Sequence, residues 1–177
     1  GYEEGQIIAL GFPSSGFAST SLLIENIDDL APLPLIDRVT LERVKLQEHH
    51  PEMISGFAFL LVDGLSRAED GLSATISPAL RDMPMFGGSA GDGTDFEDTS
   101  VALNGTVAQN AAVLTLVRSR YRTKVFSLDH LVPSDRQMVV TGADPGRRIV
   151  KTINAEPAAR EYARIVGKDP EQLDRLT

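Results

Sequence analysis

Apolar positions along this chain fall into short blocks separated by glycine, proline and Asp/Asn turns, and each block predicts one element. The run Gln6 to Leu10 reads as a strand, Gly11-Phe-Pro-Ser-Ser-Gly16 as a turn cluster, and Ser19 to Ile27, rich in β-formers, as a second strand. Pro32 and Pro34 break the next stretch. From Ile36 to Glu48 the apolar residues Ile36, Val39, Leu41, Val44 and Leu46 mix with charges at roughly helical spacing, which fits a helix or a long polar strand. Pro51 ends that element. The unbroken apolar run Gly56-Phe-Ala-Phe-Leu-Leu-Val62 has the length of a strand buried on both faces and is expected to be the central strand. After the Asp63-Gly64 turn, Ser66 reads as the N-cap of a helix to Leu80, with Glu69 as its capping-box partner and Pro78 disturbing the last turn.

Met83 to Phe86 leads into Gly87-Gly-Ser-Ala-Gly-Asp-Gly93, the densest glycine segment of the chain, expected to be a loop and followed by the acids Asp95, Glu97 and Asp98. Ser100 to Leu103, Asn104-Gly105 and Thr106-Val107 predict a hairpin with a type I′ turn, because Asn-Gly tolerates the positive φ values such a turn needs. Strands are expected at Ala111 to Val117 and at Lys124 to Leu128. Met138 to Thr141 and Arg148 to Ile153 form a further hairpin around Asp144-Pro-Gly146, and Pro157 to Val166 reads as a helix with its proline near the first turn. The fold class is therefore α+β (mixed α/β), a largely antiparallel sheet with a few packed helices. No short-period repeat or heptad is present.

Charge narrows the function. The 177 residues carry 17 Lys plus Arg against 25 Asp plus Glu, a formal −8, which is the wrong sign for a general nucleic-acid surface. Residues 1–116 hold 5 basic and 17 acidic side chains, whereas 117–177 hold 12 and 8, so the two segments are expected to belong to different units. The chain has no cysteine, which removes disulfides, thiolate zinc sites and cysteine nucleophiles, and fits a cytoplasmic protein. No apolar run approaches the roughly 20 residues of a membrane span, so no membrane partner is expected. The start at Gly1 without methionine fits a piece of a longer protein.

Gly87-Gly-Ser89-Ala-Gly91 matches the G-x-S-x-G pattern of a hydrolase nucleophile elbow, which needs a strand before Ser89 and a helix directly after it. Turn-forming Asp92-Gly93-Thr94-Asp95 stands where that helix should begin. The same segment can act through its backbone, glycines allowing successive N–H groups to converge on a carboxylate, phosphate or carbonyl; a tight turn where strands approach closely is the plain structural alternative. Asp92, Asp95, Glu97 and Asp98 lack the EF-hand spacing and read as solvated acids. His49 and His50 are adjacent and form a polar helix end. His130 follows the apolar stretch Val125-Phe-Ser-Leu128 at the expected rim of a core, where a neutral imidazole can ligate iron or serve a structural bond. Arg118, Arg120, Arg122 and Lys124 alternate, which on a strand makes either an anion-binding stripe or a solvated edge.

Three blocks in this order resemble the FIST family, sensory modules of signalling proteins. Met83-Pro-Met-Phe-Gly-Gly-Ser-Ala-Gly-Asp-Gly93 is similar to the family's Phe-Gly-Gly-Ala/Ser-Ala-Gly-Asp signature, and Val101-Ala-Leu-Asn-Gly105 through Ala112-Val-Leu114 to its Asn-Gly hairpin and following strand. Met138-Val-Val-Thr141 to Ile153-Asn-Ala-Glu-Pro-Ala-Ala159 and Tyr162 resembles its "Asn/Asp-Gly-x-Pro-Ala-x-x-x-Tyr" junction. The resemblance implies that 1–135 is the later part of the amino-terminal FIST domain and 136–177 the start of the carboxy-terminal one, with further segments on both sides.

It further implies a non-catalytic bacterial module that binds a small molecule, an amino acid among the candidates, and regulates a signalling protein such as a histidine kinase or a cyclic-di-GMP enzyme. The expected ligand site is Phe86, Gly87, Gly88, Ser89, Ala90, Gly91 and Asp92. A haem-based nitric oxide sensor with His130 as axial ligand is the first alternative. Here the histidine is kept but the glycine that usually follows it is replaced by Leu131. A serine hydrolase using Ser89 is the second alternative.

Overall fold

The apolar run at 56–62 lies inside a sheet in the computed structural model, which describes residues 7–93, 95, 97–129, 131–169 and 171. The chain divides into two compact units, Gly1–Phe126 and Ser127–Thr177. In the first, the elements run β1 (Phe17–Glu25), α1 (Pro32–His49), β2 (Ser55–Asp63), α2 (Glu69–Leu80), β3 (Met85–Ala90), β4 (Val101–Leu103), β5 (Thr106–Ala108) and β6 (Ala111–Ser119). Four strands pair in the order β1-β6-β2-β3, antiparallel except for β2 and β3, which α2 connects as a parallel crossover. The fold is α+β with a largely antiparallel sheet.

Strand alternation gives the sheet two unlike faces. Leu22, Ile24, Ala58, Leu60, Val62, Ala112, Leu114 and Leu116 point to one side, where they pack with Leu35 and Val39 of α1 and Leu72 and Ile76 of α2. The opposite side is covered only in part: Val101, Leu103 and Ala108 of the β4–β5 hairpin pack with Leu23, Ala90, Ala111 and Val113. Central strand β2 is thus buried on one face and left half-covered on the other, with Leu61 exposed, contrary to the expectation of burial on both. Asn104 and Gly105 have φ of 51° and 84°, as the type I′ turn requires.

Several expectations are corrected. Residues 7–10 are not a strand, and Gln6 lies outside the described residues. The stretch 36–48 belongs to an α-helix that begins at Pro32; Pro32 and Pro34 sit in its first turn, where the missing N–H groups would have had no helical partner. Ser66 does not cap α2, which starts at Glu69; its hydroxyl donates to the Asp63 carbonyl at 2.6 Å instead, tightening the preceding turn. The helix runs through Pro78 to Leu80. Residues 124–128 form no strand, because the β6 ladder with β1 and β2 stops at Ser119. Arg120, Arg122 and Lys124 therefore do not share a strand face with Arg118.

In the second unit β7 (Val140–Asp144), β8 (Ile149–Ile153) and β9 (Glu156–Pro157) form an antiparallel sheet followed by α3 (Ala158–Val166). Asn154 fastens it: its N–H donates to the Val139 carbonyl at 2.8 Å, its Oδ1 accepts from the Val139 N–H at 3.0 Å, and its Nδ2 donates to Glu161 of α3 at 2.9 Å.

Candidate functional site

The glycine segment folds half as strand and half as loop. Gly87, Gly88, Ser89 and Ala90 belong to β3, in register with Leu60, Leu61, Val62 and Asp63 of β2. Extended backbone sends successive N–H groups to opposite edges, so these four cannot converge on one anion, and in the segment only Gly93 has a positive φ, 76°. Gly87 answers to close approach: a β-carbon there would run into the Leu60 carbonyl oxygen. Asp92 accepts from the N–H groups of Glu97 and Asp98 at 2.6 and 3.0 Å and so shapes the acidic loop. Gly91 meets nothing within 4 Å of a built β-carbon.

Alternation therefore divides the expected site. Gly87 and Ser89 lie on the helix-covered side, where the Ser89 hydroxyl donates to Glu69 of α2 at 3.5 Å in a recess of about 230 Å³. No helix follows Ser89 among the described residues up to Ser100, so the strand–turn–helix setting of a nucleophile elbow is not formed. Phe86, Gly88 and Ala90 lie on the half-covered side. His130 lies outside the described residues.

Phe86 joins a cluster that the pattern of the chain did not single out. Its ring centroid is 5.1 Å from that of Phe59 and 5.5 Å from that of Phe57; Phe12 stands 6.2 Å from Phe57 and 5.1 Å from Phe17. Five of the chain's seven phenylalanines, Phe12, Phe17, Phe57, Phe59 and Phe86, thus line one apolar groove of about 260 Å³, with Leu10 and Val117 completing its wall. Offset and tilted ring contacts of this kind contribute about 0.5–1.5 kcal/mol each beyond area burial. The groove nevertheless leaves Phe86 45% exposed and Phe12 54% exposed. Its polar groups are the hydroxyls of Ser19 and Thr115, the latter hydrogen-bonded to Ser21 at 2.9 Å. A mostly apolar recess with few hydroxyls suits a small molecule that has an apolar body and one hydrogen-bonding group. The signal for it was the placing of Phe57 and Phe59 two apart, which on a strand assigns both rings to one face.

Among the described residues that line the groove there is no histidine, methionine or tyrosine, side chains that hold haem iron in other proteins. Among the described residues no three His, Asp or Glu side chains are grouped to hold a metal ion, and no helix is long and apolar enough to cross a membrane.

At the end of the sheet beyond the β4–β5 hairpin, Asp63 is 4% exposed. Burial pushes its carboxyl up, but hydrogen bonds from the Thr99 hydroxyl and the N–H groups of Asn110 and Leu65 outweigh this and hold it below the ordinary value. The carboxylate ties three loops together at the rim of the sheet.

Comparison with curated proteins and with solved structures returned no match. A family model described as the FIST N domain matches residues 1–156, most of the chain. With Phe86 to Ala90 of the Phe-Gly-Gly-Ser-Ala-Gly-Asp segment built into an edge strand beside an open groove, the chain belongs to the FIST family, a sensory domain of signalling proteins.

Proposed function

We propose that this chain is a non-catalytic sensory module whose ligand is a small molecule with an aromatic or branched aliphatic group, held in the groove between β1, β2, β3 and β6. The observation that carries the reading is the convergence of five phenylalanines on a face of the sheet that no helix covers among the described residues. Large apolar side chains left accessible in one concave patch mark a binding surface. Gly88 follows Phe86 by two on β3, and a β-carbon there would meet nothing within 4 Å. Apolar amino acids fit this chemistry, the rings taking the side chain and the Ser19 and Thr115 hydroxyls a polar end.

Occupancy would act by differential affinity for two states of the segment that carries Leu10 and Phe12, and the resulting bias would pass to a signalling partner such as a histidine kinase or a cyclic-di-GMP enzyme. The reading is tested by thermal-shift titration with L-phenylalanine, L-leucine and phenylacetate on the wild-type chain and Phe59→Ser. Stabilisation that grows with ligand concentration in the first and vanishes in the second supports it, as linkage requires. Flat responses across the panel, or equal responses in both proteins, contradict it.

A further inference from the structure

Arg43 occupies a position at which helix α1 should bury an aliphatic side chain. The buried stripe of that helix is Leu35, Val39, Arg43 and Leu46, and Arg43 is only 8% exposed. An arginine so deeply placed ordinarily faces a carboxylate. This one has no ion-pair partner among the described residues; its Nε donates to the Ala79 carbonyl at 2.8 Å, which occupies one of five N–H groups.

The side chain lines a concavity of about 440 Å³ on the helix-covered side of the sheet, the face opposite the phenylalanine groove. Two further arginines line it. Arg118 donates through one terminal nitrogen to the Met53 carbonyl, while its Nε is buried with no acceptor. Arg81 caps the end of α2 with φ 57° and ψ −115°, a backbone state that an L residue adopts at a cost. Neither has an ion-pair partner among the described residues. Asp82 is the one acid among the described lining residues, so they carry a formal charge of +2 within a unit that is otherwise strongly acidic. The hydroxyls of Ser55 and Thr123 stand at its rim.

We infer that this recess is a binding site for a small oxyanion, a molecule bearing a carboxylate or a phosphate group, clamped by Arg43, Arg81 and Arg118. Two of the three guanidinium groups are fixed by backbone carbonyls and keep most of their planar N–H array, the arrangement that binds an oxyanion through paired charge-assisted hydrogen bonds. The Arg118 Nε–H has no acceptor among the described residues, so the charge of this guanidinium is only partly satisfied where it lines the recess. The site shares no lining residue with the phenylalanine groove, and its test is independent of the ligand proposed there.

The test is a nitrogen-15 NMR titration of the wild-type chain with inorganic phosphate and, separately, with succinate, each against sodium chloride of equal ionic strength. The expected result is saturable movement of the arginine Nε–H signals of Arg43 and Arg118 with one of the two salts, and the salt that acts tells phosphate from carboxylate chemistry. Arg81→Gln, on an exposed side chain whose loss leaves the core intact, should weaken that binding by roughly tenfold or more, since one charge-assisted hydrogen bond is removed. Absence of saturable movement with either salt at roughly 10 mM overturns the inference, that being the range expected of the weakest specific sites. So does an equal response to sodium chloride, or an affinity unchanged in Arg81→Gln.

Discussion

The Asp63 carboxylate at the end of β2 accepts a hydrogen bond from the Asn110 N–H at 2.6 Å, across 47 positions of chain. The same carboxylate accepts from Thr99 and Leu65, while Asn110 donates from its side chain to Asp28. One buried acid thereby fixes where the chain leaves β2 and where it enters β6. Asp63→Ala removes the acceptor for three donors and should cost about 3 kcal/mol, measured as the shift in the urea midpoint at constant m-value. Its pKa is lowered below 3.8, so the stabilisation is present above that value and fades as pH falls through the folded-state pKa. An Asp63→Ala midpoint within a few tenths of a kcal/mol of wild type would remove this role.

Gly87 and Gly88 are neighbours with opposite tolerance. A β-carbon at Gly87 collides with the Leu60 backbone, whereas one at Gly88 meets nothing within 4 Å. Gly87→Ala should therefore destabilise by about 1–3 kcal/mol, because β3 must separate from β2. Gly88→Ala should change stability by less than about 0.5 kcal/mol. Equal thermal melts for the two variants would show that the strand pairing does not depend on Gly87.

In the second unit, side-chain hydrogen bonds from Arg164 at 2.6 and 2.7 Å, with help from Asn154, lower the Glu161 pKa from 4.5 to about 2. A depressed carboxylate contributes stability that is complete above the unfolded value near 4.5 and is lost as pH falls toward 2. Acid unfolding of this unit, followed by circular dichroism of α3, should steepen in that window. Glu161→Gln should flatten it there and leave the profile above pH 5 parallel to wild type; an unchanged acid limb would contradict the assignment.

Much of the fold was legible because its signals are local. Asn104-Gly105 specifies a type I′ turn through its own φ preferences, and the aliphatic positions of β2 and β6 declare strands through composition. The glycine segment misled because Gly87 to Ala90 is held extended by parallel pairing to β2, a contact made only after α2 has crossed over. Ser66 carries a strong capping signature, yet Asp63 recruits the turn first. The groove was half visible: Phe86 stood in the family signature, but its ring partners Phe57 and Phe59, and Phe17 along the same groove, come from other strands that only the sheet order brings together. Arg43 could not be recognised at all, since a helical stripe of Leu35, Val39 and Leu46 predicts an aliphatic residue in its place.

The most direct measurement is an isotope-filtered nuclear Overhauser experiment on the labelled chain with the L-phenylalanine, L-leucine and phenylacetate panel. Cross-peaks from a probe to the ring protons of Phe57, Phe59 and Phe86, competed away by a second member of the panel, are the predicted result. Probe contacts confined to Ser89 and Asp92, or no intermolecular cross-peak from any probe, would contradict the claim that this groove is where the sensor meets its ligand.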